Sequence, residues 1–145
     1  MTAMPATLEG RCHCGAITLD FSTTRRPADT APRACDCSFC RAHGAAWVSD
    51  PAAQLIIEAH LPERLCRYRQ GSESAQFLLC RDCGVLVAVM FDDGDRYYAA
   101  VNLRCLEARD AFAAPVSASP QRLSKEDKVA RWRQAWIADV QLPPF

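Results

Sequence analysis

No run of apolar residues in this 145-residue chain is longer than the seven from Val85 to Phe91. A helix needs roughly 20 to cross a bilayer, so a membrane-spanning helix is excluded. The stretch from Met1 to Cys14 lacks an apolar segment behind a basic one. It therefore reads as free of a secretory signal, and a cytoplasmic location is the expectation. Neither sign of charge is in excess, with 17 basic residues against 17 acidic ones and a pI near 6.8. That leaves no electrostatic footprint for DNA or RNA. Lysine is scarce, 2 residues beside 15 arginines, a bias from which no function follows. Internal repeats and low-complexity stretches are missing too. The length fits one domain over 1–145 with its own core.

Cysteine, by contrast, is abundant. Nine in a chain without an export signal are unusual for a reducing compartment. An odd count and the cytosolic redox poise both argue against complete disulfide pairing, so metal binding leads. Seven of the nine fall into three clusters: Cys12 with Cys14, Cys35 with Cys37 and Cys40, and Cys80 with Cys83. Residues two apart on an extended strand lie about 6.5–7 Å from one another. Tetrahedral zinc with Zn–S near 2.3 Å brings its sulfurs to about 3.8 Å. The backbone must therefore curl around the ion. Gly15 after Cys14 and Gly84 after Cys83 suit such turns, because glycine tolerates positive φ.

Cys12, Cys14, Cys80 and Cys83 read as one closed four-sulfur site, which means a structural metal. The alternative is a redox dithiol at Cys80 and Cys83. That motif should open a helix, whereas here the β-branched run Val85–Phe91 follows. Cys35-Asp36-Cys37-Ser38-Phe39-Cys40 has three thiols and no obvious fourth. A three-ligand zinc keeps a position for water or substrate, the arrangement of catalytic zinc. Three other readings stay open: completion by a distant Cys or by His43, three reduced thiols without metal, and a redox switch.

The rest of the chain reads as mainly β. Ile17, Leu19 and Phe21 alternate with Thr18 and Asp20, the pattern of a half-buried strand. Further strands are expected at 46–49, 54–58, 64–69, 76–79, 85–91 and 96–103, with Asp92-Asp93-Gly94 as a hairpin turn. So many short strands predict curled antiparallel sheets. Val129, Trp132, Trp136, Ile137 and Val140 share one helical face, predicting an amphipathic helix over about 125–140. Its N-cap is Ser124, and Glu126 and Asp127 lie in the first turn. The two tryptophans are expected to pack this helix on a sheet rather than to line a binding box.

Three segments, Gly10-Arg11-Cys12-His13-Cys14-Gly15, Cys35 to Arg41 followed by Gly44-Ala45, and Cys80-Arg81-Asp82-Cys83-Gly84, carry a family resemblance. With Val101 to Glu107 they resemble the glutathione-dependent formaldehyde-activating (GFA) family, which includes centromere protein V, over about residues 8–108. The resemblance implies a zinc-bound, mainly β fold of small sheets. It matches Cys12, Cys14, Cys80 and Cys83 to structural zinc ligands and Cys35, Cys37 and Cys40 to a catalytic zinc triad. The implied activity is carbon–sulfur lyase chemistry, interconverting glutathione plus formaldehyde with S-hydroxymethylglutathione. The implied partners are thus a small thiol and an aldehyde. Asp36 stands where His is common in the family, and Gln76 and Leu79 replace an Arg and an aromatic. These departures spare the ligands and could shape a pocket. A non-catalytic zinc module that binds a protein or a small thiol is the alternative.

The chemistry also follows from the thiols themselves. A free thiol is about 3% ionised at pH 7, so full ionisation adds at most about 30-fold, less the nucleophilicity lost as pKa falls. Positioning thiolate and aldehyde together is worth effective molarities of at least about 10⁵ M, so positioning should dominate. Three thiolates on a divalent ion carry −1, and a substrate thiolate makes −2, so a cation belongs nearby. Arg41 after the triad and Arg33 before it are the candidates, either to offset that charge or to clamp a carboxylate. Each could instead be a solvated surface arginine. His43 could move a proton, serve as a fourth ligand, or be an ordinary loop histidine. His13 is expected to point away from metal, and His60 has no partner cluster. Cys66 and Cys105 are expected to be small buried hydrophobes. Seven ionised thiols around two zinc ions would leave the holo protein nearer −3 than neutral, which further disfavours nucleic acid.

Overall fold

The structure, a computed structural model, describes residues 4–144. Met1–Ala3 and Phe145, which the expected domain and N-terminal reading take in, lie outside the described residues. In chain order the elements are β1 (Ala6–Arg11), β2 (Ile17–Thr23), β3 (Arg33–Cys35), α1 (Ser38–His43), β4 (Trp47–Val48), β5 (Gln54–Ala59) and β6 (Leu65–Tyr68). They continue with β7 (Gln76–Cys80), β8 (Leu86–Asp92), β9 (Tyr97–Asn102), β10 (Val116–Ala118), α2 (Lys125–Ala135) and β11 (Asp139–Gln141). The fold is mainly β, and each strand expected from alternation is present with its ends moved by at most two residues.

The strands form two sheets, one ordered β1-β2-β5-β11 and the other β10-β3-β4-β9-β8-β7-β6. The smaller sheet covers one face of the larger. Ile17, Leu19 and Phe21 of β2 and Leu55 and Ile57 of β5 pack there against Leu78, Met90 and Val101. The opposite face of the larger sheet carries a second cluster, in which Phe77, Leu86, Val89 and Ala100 meet Cys40 of α1 and Trp132 of α2. Residues 86–90 of β8 are buried without a break. That is the expected state of a central strand covered on both sides and explains why its sequence is an apolar run rather than an alternation. Asp92-Asp93-Gly94 turns β8 into β9, and the Gly94 N–H donates to the Asp92 carboxylate at 2.8 Å.

Two expectations need correction. The sheets are mixed, because β10 runs parallel to β3 and β11 parallel to β5. Both parallel partners come from the C-terminal segment, which returns across the molecule to the sheet edges. Helix α2 is capped as expected, with the Ser124 hydroxyl accepting from the Asp127 N–H, but it ends at Ala135 rather than near 140. Ile137 exchanges two backbone hydrogen bonds with Ala99, and Val140 lies in β11. For these β-branched residues, sheet pairing outweighs another helical turn.

Gly10 is required by a close approach. A Cβ there would stand 2.7 Å from the Cys105 carbonyl oxygen, where Gly10 bridges to Leu106. Gly10→Ala is expected to cost about 1–3 kcal/mol through overpacking, measured as a lower urea midpoint at unchanged slope.

Candidate functional site

The first cysteine set sits where hairpins of the two sheets meet. Cys12 and Cys14 lie in the turn from β1 to β2, and Cys80 and Cys83 at the turn from β7 to β8. Gly15 at φ 83° and Gly84 at φ 77° allow the chain to curl there. The four sulfurs all lie within 4.8 Å of one another, with Cys12–Cys14 at 3.7 Å and Cys14–Cys80 at 3.6 Å. Those separations fit the edge of a ZnS₄ tetrahedron, about 3.8 Å. The Ile17 N–H donates to the Cys12 sulfur at 3.3 Å. Burial pushes the Cys80 thiol up to about 12. Burial acts the same way on Cys83 but is outweighed by backbone N–H groups of Cys14 and Val85 and by thiol hydrogen bonds, which bring it down to about 6. A donor set of four close sulfurs could hold zinc with no position left over.

Cys105 is buried beside this set. Its thiol donates to the Leu86 carbonyl at 3.3 Å, and burial with the nearby Cys12 and Cys83 raises it to about 12. It remains a protonated core thiol. Cys66 departs from expectation and is only half-buried, because β6 is an edge strand with a neighbour on one side.

The second set is built by the start of α1. Cys35 ends β3, Cys37 is the N-cap, and its sulfur accepts from the Cys40 N–H at 3.4 Å. Gly44, left-handed at φ 60°, closes the helix. The sulfurs of Cys35, Cys37 and Cys40 lie within 4.8 Å of one another. Among the described residues no fourth Cys, His, Asp or Glu joins the group. Cys35 is brought down to about 6, first because the Cys40 thiol donates to it. Cys40 is pushed up by the same bond and by burial, with the Trp47 side chain, whose indole N–H donates to it, pulling the other way.

Cys35, Cys37 and Cys40 all line a cavity of about 230 Å³. Trp47, Phe77 and Val89 of the larger sheet, the 70–72 loop and α2 also line it. Gln70 Nε2 donates to the Cys37 sulfur at 3.9 Å. Arg33 lines the cavity, its guanidinium pulled below its ordinary value by burial and by Arg131 nearby. Arg41 and His43 do not line it. Both are exposed on α1, and the His43 ring lies against Phe39 with centroids 4.7 Å apart. His13 and His60 are exposed and outside both sulfur sets.

Trp132 and Trp136 pack α2 on the sheet as expected, and they also wall the cavity, the role the sequence pattern ranked second. Their rings stack at 4.6 Å and 16°. Asp36 turns away from the cavity. Ser119 Oγ donates to its carboxylate at 2.6 Å and Gln121 Nε2 donates to the other oxygen, holding Asp36 below the usual carboxylate range. Gln76 and Leu79 do not line the cavity either. Sequence reasoning missed Gln70, Lys128 and Arg131 as cavity residues. Gln70 sits in a polar loop without a motif, and Lys128 and Arg131 look like ordinary charges of a surface helix.

A mainly β body with one closed and one open sulfur set defines a protein whose two cysteine clusters could each hold zinc. The chain belongs to the glutathione-dependent formaldehyde-activating enzyme family, whose model matches residues 7–119. The crystal structure of a Rhodobacter sphaeroides protein is similar, with a TM-score of 0.57 and 29% identity over 76% of this chain and 99% of that one. No curated protein matches significantly. Among the described residues no helix is long and apolar enough to cross a membrane.

Proposed function

We propose that the chain is a zinc-dependent carbon–sulfur lyase that joins a thiol such as glutathione to formaldehyde or a related aldehyde, and reverses that step. In this reading Cys12, Cys14, Cys80 and Cys83 hold a structural zinc, and Cys35, Cys37 and Cys40 hold a catalytic one. Residues 1–145 act as one unit in the cytoplasm, where thiols stay reduced. The supporting observation is the contrast between the two sets. One has four sulfurs packed at the sheet junction, and the other has three, from cysteines that line a cavity. Zinc held by the trio would supply Lewis-acid character and an open coordination position.

The remaining work falls to the chain. In the joining direction the thiol sulfur bonds to the carbonyl carbon, the C=O becomes C–OH, and the thiol proton ends on that oxygen, with no change of oxidation state. The cavity holds the two reactants together, which is the larger share of the barrier. Trp47 donates to the Cys40 sulfur and pulls it towards the anionic form, and Gln70 donates to the Cys37 sulfur. Of the two arginines that flank the trio in sequence, Arg33 rather than Arg41 supplies positive charge, because Arg33 lines the cavity and Arg41 does not.

Exchange NMR at equilibrium tests the reading. Protein carrying two zinc ions per chain should speed interconversion of glutathione plus formaldehyde with S-hydroxymethylglutathione above the buffer rate. Glutathione binding without acceleration would overturn it and favour a non-catalytic module.

A further inference from the structure

Helix α2 lies beyond the family match at 7–119, yet it walls the cavity over the open cysteine set. Its position is fixed from several sides. Ser119 and Gln121, just before it, bond Asp36 inside the Cys35–Cys40 loop. At its other end the Ser49 hydroxyl donates to the Ala135 carbonyl at 2.9 Å. Between these, Trp132 rests on Phe91 with centroids 5.9 Å apart, and Arg133 pairs with Asp93.

The face so presented carries Lys128, Arg131 and Trp132, spaced i, i+3 and i+4 along one side of the helix, and all three line the cavity. Arg33 adds a third cation from β3. The lining contains no Asp or Glu. Among the described residues, none of these three cations appears in an ion pair. Like charges gathered without a carboxylate between them repel one another, and a bound anion relieves that cost. A guanidinium fork suits carboxylate and phosphate alike, and of the two a thiol such as glutathione brings carboxylate.

We propose that α2 is the substrate-selecting wall of the site: Lys128 and Arg131, with Arg33, receive a carboxylate of an anionic thiol whose sulfur is directed to Cys35, Cys37 and Cys40. The stacked Trp132 and Trp136 cover the apolar part of that ligand. The assignment rests on the proposed function for the direction of the sulfur, but charge selection can be read without turnover.

The test is calorimetric titration of the zinc-loaded protein with glutathione and with its diethyl ester, which keeps the sulfur and neutralises the carboxylates. The unmodified protein should prefer glutathione, and the preference should shrink as salt rises. In K128A/R131A glutathione binding should weaken about tenfold, since an exposed charge contact is worth up to about fivefold. The ester should bind as before, and K128R/R131K should restore the preference. Equal binding of both thiols by the unmodified protein, no binding of either, or an intact preference in the double alanine variant would each overturn the proposal. Should that variant fail to fold, Arg33→Gln carries the same test from β3. Lost preference in a protein that never accelerates the aldehyde exchange sinks the lyase reading and leaves the clamp. Acceleration with an unaltered preference does the reverse.

Discussion

Replacing Cys80 by serine is expected to lower bound zinc from two ions per chain to one and to bring the melting midpoint down by about 15 °C. Structural zinc in small folds contributes apparent free energies of about 10–16 kcal/mol, as much as the whole stability of a typical domain. This chain also has a substantial apolar core between its sheets, so metal loss need not abolish folding. If zinc in such a cored domain contributes only about a third of that figure, roughly 4 kcal/mol, its loss moves the midpoint of a domain of this size by about 15 °C. The effect should be that large because the four sulfurs join hairpins of different sheets, Cys12 and Cys14 from one and Cys80 and Cys83 from the other. Cys66→Ser is the matched control, since Cys66 is half-buried on an edge strand and outside both sulfur sets. It should shift the midpoint by no more than a degree or two. Calorimetry with elemental analysis checks both variants. A Cys80→Ser protein with two zinc ions and an unchanged midpoint would show that the quartet is not what pins the sheets together.

The cysteine spacing carried the most legible signal in this chain, because sulfur geometry around a tetrahedral ion is narrow and few sequences meet it by accident. The two sets assemble as the spacing predicts, and Gly15 and Gly84 adopt the positive φ that the turns demand. Strands were legible for a similar reason. Ile17, Leu19 and Phe21 face the core with Thr18 outside, and period-two burial leaves its mark residue by residue. Pairing at a distance left no such mark. The three residues of β10 and of β11 become strands only because β3 and β5 present free edges, and no local propensity announces that. The end of α2 shows the conflict directly, since Ile137 and Val140 fit a helical face and a strand equally well. Their partner, Ala99 or β5, decides. The cavity was least legible of all. Arg33 precedes the triad in sequence on β3 and lines the cavity, whereas Arg41 follows it on α1 and does not.

The two sets also differ in what surrounds them, which bears on how separable stability and activity should be. The quartet borders the core shared by the two sheets, with Cys12 and Cys80 inside it. The trio lies on the far face of the larger sheet, at the start of a six-residue helix. A change at the trio therefore disturbs one turn of helix and one cavity, not the junction of the sheets.

Cys37→Ser exploits that separation and should give the largest loss of activity with the smallest structural change. Cys37 is the N-cap of α1, where its sulfur accepts from the Cys40 N–H, and serine is among the best N-cap residues. The helix start should therefore survive, and the midpoint should fall by clearly less than in Cys80→Ser, because the zinc lost here cross-links no sheets. What serine cannot replace is the ligand. Its hydroxyl stays protonated where a thiol ionises on the metal, so the open set falls from three sulfurs to two. Altering a residue that merely orients a metal ligand costs 10–100-fold in affinity or activity, and loss of the ligand itself should exceed that. Exchange between S-hydroxymethylglutathione and its components should fall by at least about 100-fold, and bound zinc should drop towards the one ion held by the quartet. Phe39→Leu, on the same helix and packed against Phe77 and His43 but not lining the cavity, should change the rate far less. Should Cys37→Ser keep both its zinc and its exchange rate, the trio would not be the reaction centre, and the lyase reading would fall with it.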